Sequence, residues 1–317
     1  MWNVPRSDPE ELWRPTAGPA GLAARAATLK RLRDFFAARQ VLEVETPLLS
    51  PGAVPDESIE PVGCAGWYLS TSPETAMKRL LAAGSGPIYQ IAKAFRAGEA
   101  GQRHNPEFTM LEWYRPGWSW RELMTESAQL LQAVLGAMPV QEWTFAAAMR
   151  RFAGVDPFSD PEEALIRALP FPPPERLDRL GLLDLLLTER VEPAFQEAGG
   201  LVFLTRFPAE RAAMAEIDPT PPATALRFEL YVRGMELING YQELTDGHEQ
   251  ATRLHQANRK RATLNLPSLP VDAHFLAALR SGLPRTAGAA LGVDRLVMLA
   301  LGTDRIADVL AFPTDRA

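Results

Sequence analysis

The sequence contains one cysteine, Cys64, and four histidines, at positions 104, 248, 255 and 274. A single thiol excludes an internal disulfide and a thiolate zinc cluster, and the histidines fall in no metal-binding spacing. Hard cations with oxygen ligands are the metals left open to this chain. No apolar run approaches the roughly 20 residues needed to span a bilayer. The opening MWNVPRSDPEELWRP lacks the basic end and apolar stretch of a signal peptide. No membrane partner and a cytoplasmic location are therefore expected. A basic excess is missing as well: 33 Lys and Arg stand against 39 Asp and Glu, a formal charge of -6. That balance disfavours a broad nonspecific nucleic-acid surface but leaves room for local basic patches. The chain shows neither an internal repeat nor regular βαβ crossovers.

What is present fits a globular protein of 317 residues, 46% apolar and 23% charged. Residues 1–21 hold four prolines and little periodicity and read as an N-terminal arm. The rest, 22–317, reads as one domain with a helical insertion at about 143–225. Leu22, Ala26, Leu29, Leu32 and Phe36 form a helical stripe, followed by a short strand in VLEVETP. In YLSTSPETAMKRLLAAG, Ser72 can cap a helix with Pro73 at its first position and Glu74 in its first turn. IYQIAKAFR and FTMLEWY read as a hairpin, and WSWRELMTESAQLLQAVLG as a helix. RFELYVRGMELINGYQELTD has strand composition interrupted by Gly234 and Gly240, and HEQATRLHQANRKRATL is helical. This order predicts an α+β fold, a mostly antiparallel sheet flanked by helices.

The hairpin connection is unusual. Eleven residues, crowded with Arg, Glu, His and Asn, separate Arg96 from Phe108, where a surface hairpin turns in about two to five. Period 2 puts Ala92, Ala94 and Arg96 on one face of the first strand, and Phe108, Met110, Glu112 and Tyr114 on one face of the second. If those faces coincide, a guanidinium fork suited to phosphate lies beside a flat ring suited to a base. Such an arginine taken alone is more often a partner in a structural ion pair. GAALGVDR places small residues before Arg295 where a strand enters a helix, letting a ligand approach the backbone or a helix pack closely on the sheet. Glu236 and Glu243 could share Mg²⁺ with ligand phosphates, provided that Gly240 marks a bulge or bend.

Together the helix ending in VLEVETP, FRAGEAGQRHNPEFTMLEWY, GAALGVDR, SPE at 72–74 and RFELYVRGMELINGYQELTD resemble the catalytic domain of the class II aminoacyl-tRNA synthetases, lysyl group. The resemblance spans about Leu22 to Pro313. It implies a homodimer through the first helix and strand, and ATP with Mg²⁺ as the cofactors. Arg96 would hold the α-phosphate and the activated carboxylate, and Arg295 the γ-phosphate. The implied nucleotide positions are Arg96, Ala97, Gly98, Glu99, Asn105, Phe108, Glu236, Leu237, Gly292 and Arg295. The amino-acid pocket would use Ser72, Pro73, Glu74, Tyr114, Asn239 and Glu243, with Glu112 close by, and Glu236 and Glu243 would carry the metal.

Three departures refine this. Only about 21 residues precede the first-motif helix, too few for the anticodon-binding barrel of a lysyl-tRNA synthetase, so tRNA is not the expected partner. Ala290 stands where the third motif usually has Gly, and Gly98 where the second motif usually has Glu. NPEFTMLEWYRP and NGYQELTD also resemble the stand-alone lysyl paralogues that attach (R)-β-lysine to a lysine of elongation factor P, releasing AMP and diphosphate. A truncated lysyl-tRNA synthetase and a non-catalytic synthetase-like binding protein remain as alternatives.

Overall fold

The segments IYQIAKAF and EFTMLEWYRP pair as antiparallel neighbours within a sheet. The computed structural model describes residues 13–56, 59–173 and 177–317. Among them, eight strands form one sheet: β1 (Leu42–Glu43), β2 (Ile88–Phe95), β3 (Glu107–Pro116), β4 (Val140–Thr144), β5 (Leu201–Thr205), β6 (Arg227–Val232), β7 (Met235–Gln242) and β8 (Thr286–Gly292). Their order is β1-β2-β3-β8-β7-β6-β5-β4. Only the two outermost pairs, β1 with β2 and β4 with β5, are parallel. The mostly antiparallel α+β architecture is thus the expected one.

Among the helices of the described residues, those that bear on the site are α1 (Pro19–Ala37), α2 (Glu74–Ala82), α3 (Trp120–Leu135), α4 (Gly247–Thr263), α5 (Ala273–Gly282) and α6 (Val293–Leu301). One sheet face is the main core. There Leu111, Trp113, Ala287, Ala289 and Leu291 meet Leu32 and Phe36 of α1, Leu123 and Leu131 of α3, and Val297 of α6. Phe36 stacks on Tyr89 at 4.5 Å between ring centres. Ser119 and Glu122 close a capping box at the start of α3. Because strand side chains alternate, the intervening residues of β3, β7 and β8 face the other way, between α2, α4 and α5.

Three expectations change. The arm beyond residue 12 is shorter than expected, since α1 starts at Pro19. Just before it, the backbone N–H groups of Thr16 and Ala17 donate to Ala311 and Leu310 carbonyls. Residues 1–12 of the arm lie outside the described residues. The stretch 143–225 is not only helical, because β5 and the end of β4 extend the main sheet from within it. LVFLT in β5 is buried on both faces, so it has no polar alternation by which to be read as a strand. Last, the bulge in β7 is at Leu237: Leu230 pairs with Ile238 but Tyr231 with Glu236. Gly240 keeps regular pairing with Phe228 and Ala289.

Among the described residues no helix is long and apolar enough to cross a membrane.

Gly240 is a glycine for packing reasons. A Cβ there would lie 2.5 Å from the Phe228 ring and 2.9 Å from the Ala289 Cβ. Gly240→Ala should therefore overpack the sheet and cost about 1–3 kcal/mol. Urea unfolding checks it: the midpoint falls at constant m, whereas an unchanged midpoint contradicts this close packing.

Candidate active site

On the face opposite the main core lies a cleft of about 1030 Å³. The β2–β3 register sets Ala94 against Phe108 and Ala92 against Met110, so the two faces expected to coincide do. Arg96 leaves the end of β2 with its guanidinium 5.1 Å from the Phe108 ring centre. Glu99 lies 3.6 Å from that guanidinium, on the far side of Gly98, whose φ of +81° turns the chain. Asn105 lines the cleft but spends its amide on the loop, donating to the Glu107 carbonyl at 2.6 Å and accepting from Thr314 N–H at 3.0 Å. Pro73, Ala97 and Gly98 do not line the cleft. Ala97 instead bonds the Glu60 carbonyl through its N–H, at 2.7 Å.

Arg295 enters from the third position of α6. The neighbouring Asp294 fixes this turn: it accepts from Thr109 N–H of β3 at 2.6 Å and pairs with Arg25 of α1. Arg295 donates to the Glu236 carbonyl at 2.9 Å, and its other terminal nitrogen is 2.5 Å from His104 Nε2. Burial, then the Arg295 charge, holds the His104 pKa below its ordinary value, so the neutral ring can accept from the guanidinium. A Cβ on Gly292 would meet only the Arg295 side chain, at 3.8 Å, so the missing side chain leaves space in the cleft.

The bulge at Leu237 puts Glu236, Asn239, Tyr241 and Glu243 all on the cleft. It does not bring Glu236 to Glu243. Seven residues of nearly extended strand separate them by roughly 20 Å, too far for one ion to join. The carboxylate beside Glu236 is Glu229 of β6, whose strand neighbour Tyr231 pairs with Glu236. Burial first, and the Glu229 charge second, push the Glu236 pKa up to about 7. A hard divalent cation would relieve that repulsion, so Glu229 and Glu236 fit Mg²⁺ and the Glu236/Glu243 pair does not. Glu229 is itself held by Arg227 at 2.5 Å and by the Tyr231 hydroxyl at 2.5 Å. Arg227 also donates to Asn239 Oδ1 at 3.1 Å.

The other end of the cleft is acidic. Glu112 of β3, 2% exposed, accepts from the Ser72 hydroxyl and, at 3.1 Å, from that of Tyr114. Ser72 also accepts from Glu74 N–H at the start of α2, at 3.1 Å. Glu74 accepts from the Tyr241 hydroxyl. Ala290 lies between Asn239 and Glu112 on neighbouring strands. Burial raises Glu112 to about 8, with Glu74 adding to it, and raises Glu243 to about 8 against the opposing pull of Lys78. A Cβ on Gly288 would lie 2.4 Å from both Glu243 Oε1 and the Tyr114 ring, so glycine is required there.

Among the expected residues, Ser72, Glu74, Arg96, Glu99, Asn105, Phe108, Tyr114, Glu236, Leu237, Asn239, Glu243, Gly292 and Arg295 line this single cleft. Sequence reasoning missed Glu229, Arg227, Tyr241 and the buried Lys78. Glu229 and Tyr231 share alternation in RFELY, and Lys78 follows Glu74 by one helical turn, but neither pattern separates a site from a solvated face.

A family described as tRNA synthetases class II (D, K and N) matches residues 13–316. The chain is also 46% identical, over 96% of its length, to proteins named elongation factor P--(R)-beta-lysine ligase from Salmonella arizonae, Erwinia tasmaniensis and Photorhabdus laumondii. Each match covers 98% of the relative.

The raised carboxylates bear on stability. A carboxyl whose pKa is higher folded than unfolded holds an extra proton in the native state, so stability falls as pH rises from its ordinary value to its folded one. For Glu112 that window runs from 4.5 to about 8. In the ligand-free protein, Glu112→Gln should therefore flatten the decline of unfolding free energy across it, by up to about 1.4 kcal/mol per pH unit. Urea midpoints taken at both ends of the window check this, and an equally steep decline in the variant refutes it.

Proposed function

The chain belongs to the class II tRNA synthetase family that comprises the aspartyl, lysyl and asparaginyl enzymes, and from that premise we propose that it activates (R)-β-lysine with ATP and transfers it to a lysine of elongation factor P. The observation that carries this reading is the division of one cleft into a cationic, ring-bearing end and a carboxylate-rich end. Adenylation needs both. The relatives' name supports the particular amino acid and acceptor, since similarity runs nearly end to end in both directions. Ala290 in place of the usual Gly adds a methyl group between Asn239 and Glu112, beside the substrate's amino groups.

In the first step an oxygen of the amino-acid carboxylate attacks the α-phosphorus of ATP, and the bond to diphosphate breaks. Arg96 binds the two anions that must approach each other and neutralises the five-coordinate arrangement between them. Phe108 carries the adenine on its face. Arg295, braced by His104 and by the Glu236 carbonyl, holds the outer phosphate. Glu229 and Glu236 would hold Mg²⁺, which when bound would supply further neutralisation of the phosphates. Glu74, Glu112 and Glu243 receive the substrate's ammonium groups. In the second step the neutral amine of the acceptor lysine attacks the acyl carbon, AMP leaves, and the amine gives up a proton to form the amide. No protein nucleophile is needed. A translation factor as acceptor also fits a cytoplasmic enzyme.

Purified protein, ATP, Mg²⁺ and (R)-β-lysine should shift the mass of elongation factor P by one β-lysyl group. Charging of tRNA without transfer to the factor would overturn the reading. Arg96→Ala, shown folded by circular dichroism, should lose a factor of about 10² to 10³ in amino-acid-dependent diphosphate exchange. A near-normal rate would remove Arg96 from the reaction.

We extend the proposal to a homodimer through α1 and VLEVETP. Leu22 and Leu42, 42% and 57% exposed, and the two-residue strand β1 at the sheet edge support it. Light scattering at micromolar concentration should give twice 34.9 kDa. A monomer mass throughout refutes it.

A further inference from the structure

Lys78 is the fully buried cation of the acidic end, 1% exposed. It sits on the inner face of α2, one turn after Glu74, and does not line the cleft. Its ammonium is 2.7 Å from Glu74 Oε1 and 2.5 Å from Glu243 Oε2. The rest of its surroundings are soft and apolar: Met214 Sδ at 3.6 Å, and the Tyr241 and Phe275 rings at 5.5 and 6.0 Å. A lysine in such a place costs more than an apolar residue of similar size unless its charge is used.

Its partners show the use. Lys78 takes one oxygen of each carboxylate and leaves the other. Glu243 keeps Oε1, which points at Gly288 on the cleft wall. Glu74 keeps Oε2, because its Oε1 is shared between Lys78 and the Tyr241 hydroxyl. Glu112, held by Ser72 and Tyr114, is the third carboxylate of this end. Ionised, Glu74, Glu112 and Glu243 exceed Lys78 by two negative charges. That excess matches a substrate with two separated ammonium groups and mismatches one with a single ammonium.

We propose that Lys78 is a specificity-determining positioning residue: its ammonium pins one oxygen of Glu74 and one of Glu243, fixing the other two toward the cleft so that the acidic end selects diamino acids over monoamino acids of the same length. Without that cation, Glu74 and Glu243 repel each other at close range, and the pair relaxes by taking up a proton or swinging apart. Either response weakens the hold on the second ammonium and leaves the aliphatic contacts in place. Lys78 acts through the carboxylates and touches neither ATP nor the reacting carboxyl.

The inference rests on the proposed activation of a diamino acid, and the experiment separates the two. Diphosphate exchange is measured with (R)-β-lysine and with (R)-3-aminohexanoate, the same carbon chain without the ε-amino group, for the wild type and for Lys78→Met. If the wild type activates neither or does not distinguish them, the proposed function fails. Where it prefers the diamine, the ratio of kcat/KM values should shrink by about tenfold or more in Lys78→Met, mainly through KM for the diamine, with KM for ATP unchanged. A variant that binds ATP normally and keeps the ratio within about threefold of wild type overturns the role of Lys78. Should Lys78→Met fail to bind ATP, Lys78→Gln, which keeps a donor to the carboxylates but no charge, is read by the same ratio.

Discussion

Buried carboxylates of like charge must be neutralised where water is scarce, and this constraint organises the cleft. At the acidic end, Glu74, Glu112 and Glu243 share one internal cation, Lys78, and a set of hydroxyls from Ser72, Tyr114 and Tyr241. At the other end, Glu236 faces Glu229, with Arg295 and Arg227 as the nearby cations. Neither end is fully compensated by the protein, which is why burial drives Glu112, Glu243 and Glu236 well above the ordinary carboxylate range. In the proposed reaction the missing positive charge would come from what binds: ammonium groups at one end and a divalent cation at the other. Ligand binding and native stability would then be coupled through the same carboxylates.

The backbone meets this demand with two local devices. The bulge at Leu237 resets the alternation of β7, so that Glu236 joins Asn239, Tyr241 and Glu243 on the cleft while Leu237 and Ile238 both stay in the core. Asp294, buried between Arg25 and the Thr109 N–H, fixes α6 against β3. That holds Arg295 at the cleft from a helix whose remaining contacts are apolar. Both devices place a charged side chain by anchoring its neighbour, the most economical way to aim a long side chain whose own rotamers are free.

Much of this was legible in the residues. The period of two along IYQIAKAF and EFTMLEWYRP specified the shared facing of Phe108, Met110, Glu112 and Tyr114, because successive side chains of a strand point to opposite faces. The small residues of GAALGVDR specified a strand running into a helix that carries Arg295 in its first turn. The polar loop after Arg96 marked the cleft. The resemblance of five short stretches to the class II synthetases then gave the fold, which matches residues 13–316.

Tertiary structure decided what depends on distance between segments remote in sequence. Glu236 and Glu243 look like a metal pair in ELINGYQE, yet the extended backbone parts them, and Glu229 comes alongside Glu236 only because β6 pairs with β7. Gly240 looks like a bend and is a packing gap filled by Phe228. LVFLT, apolar on both faces, shows no alternation, and only its neighbours β4 and β6 make it a strand of the main sheet. Lys78 in ETAMKRLLA is indistinguishable by pattern from a solvated helix lysine. Its burial follows from α2 packing on α5 beside Glu243, a carboxylate far along the chain. Periodicity within a segment is written in that segment, whereas the pairing of charges between segments exists only once the chain has folded.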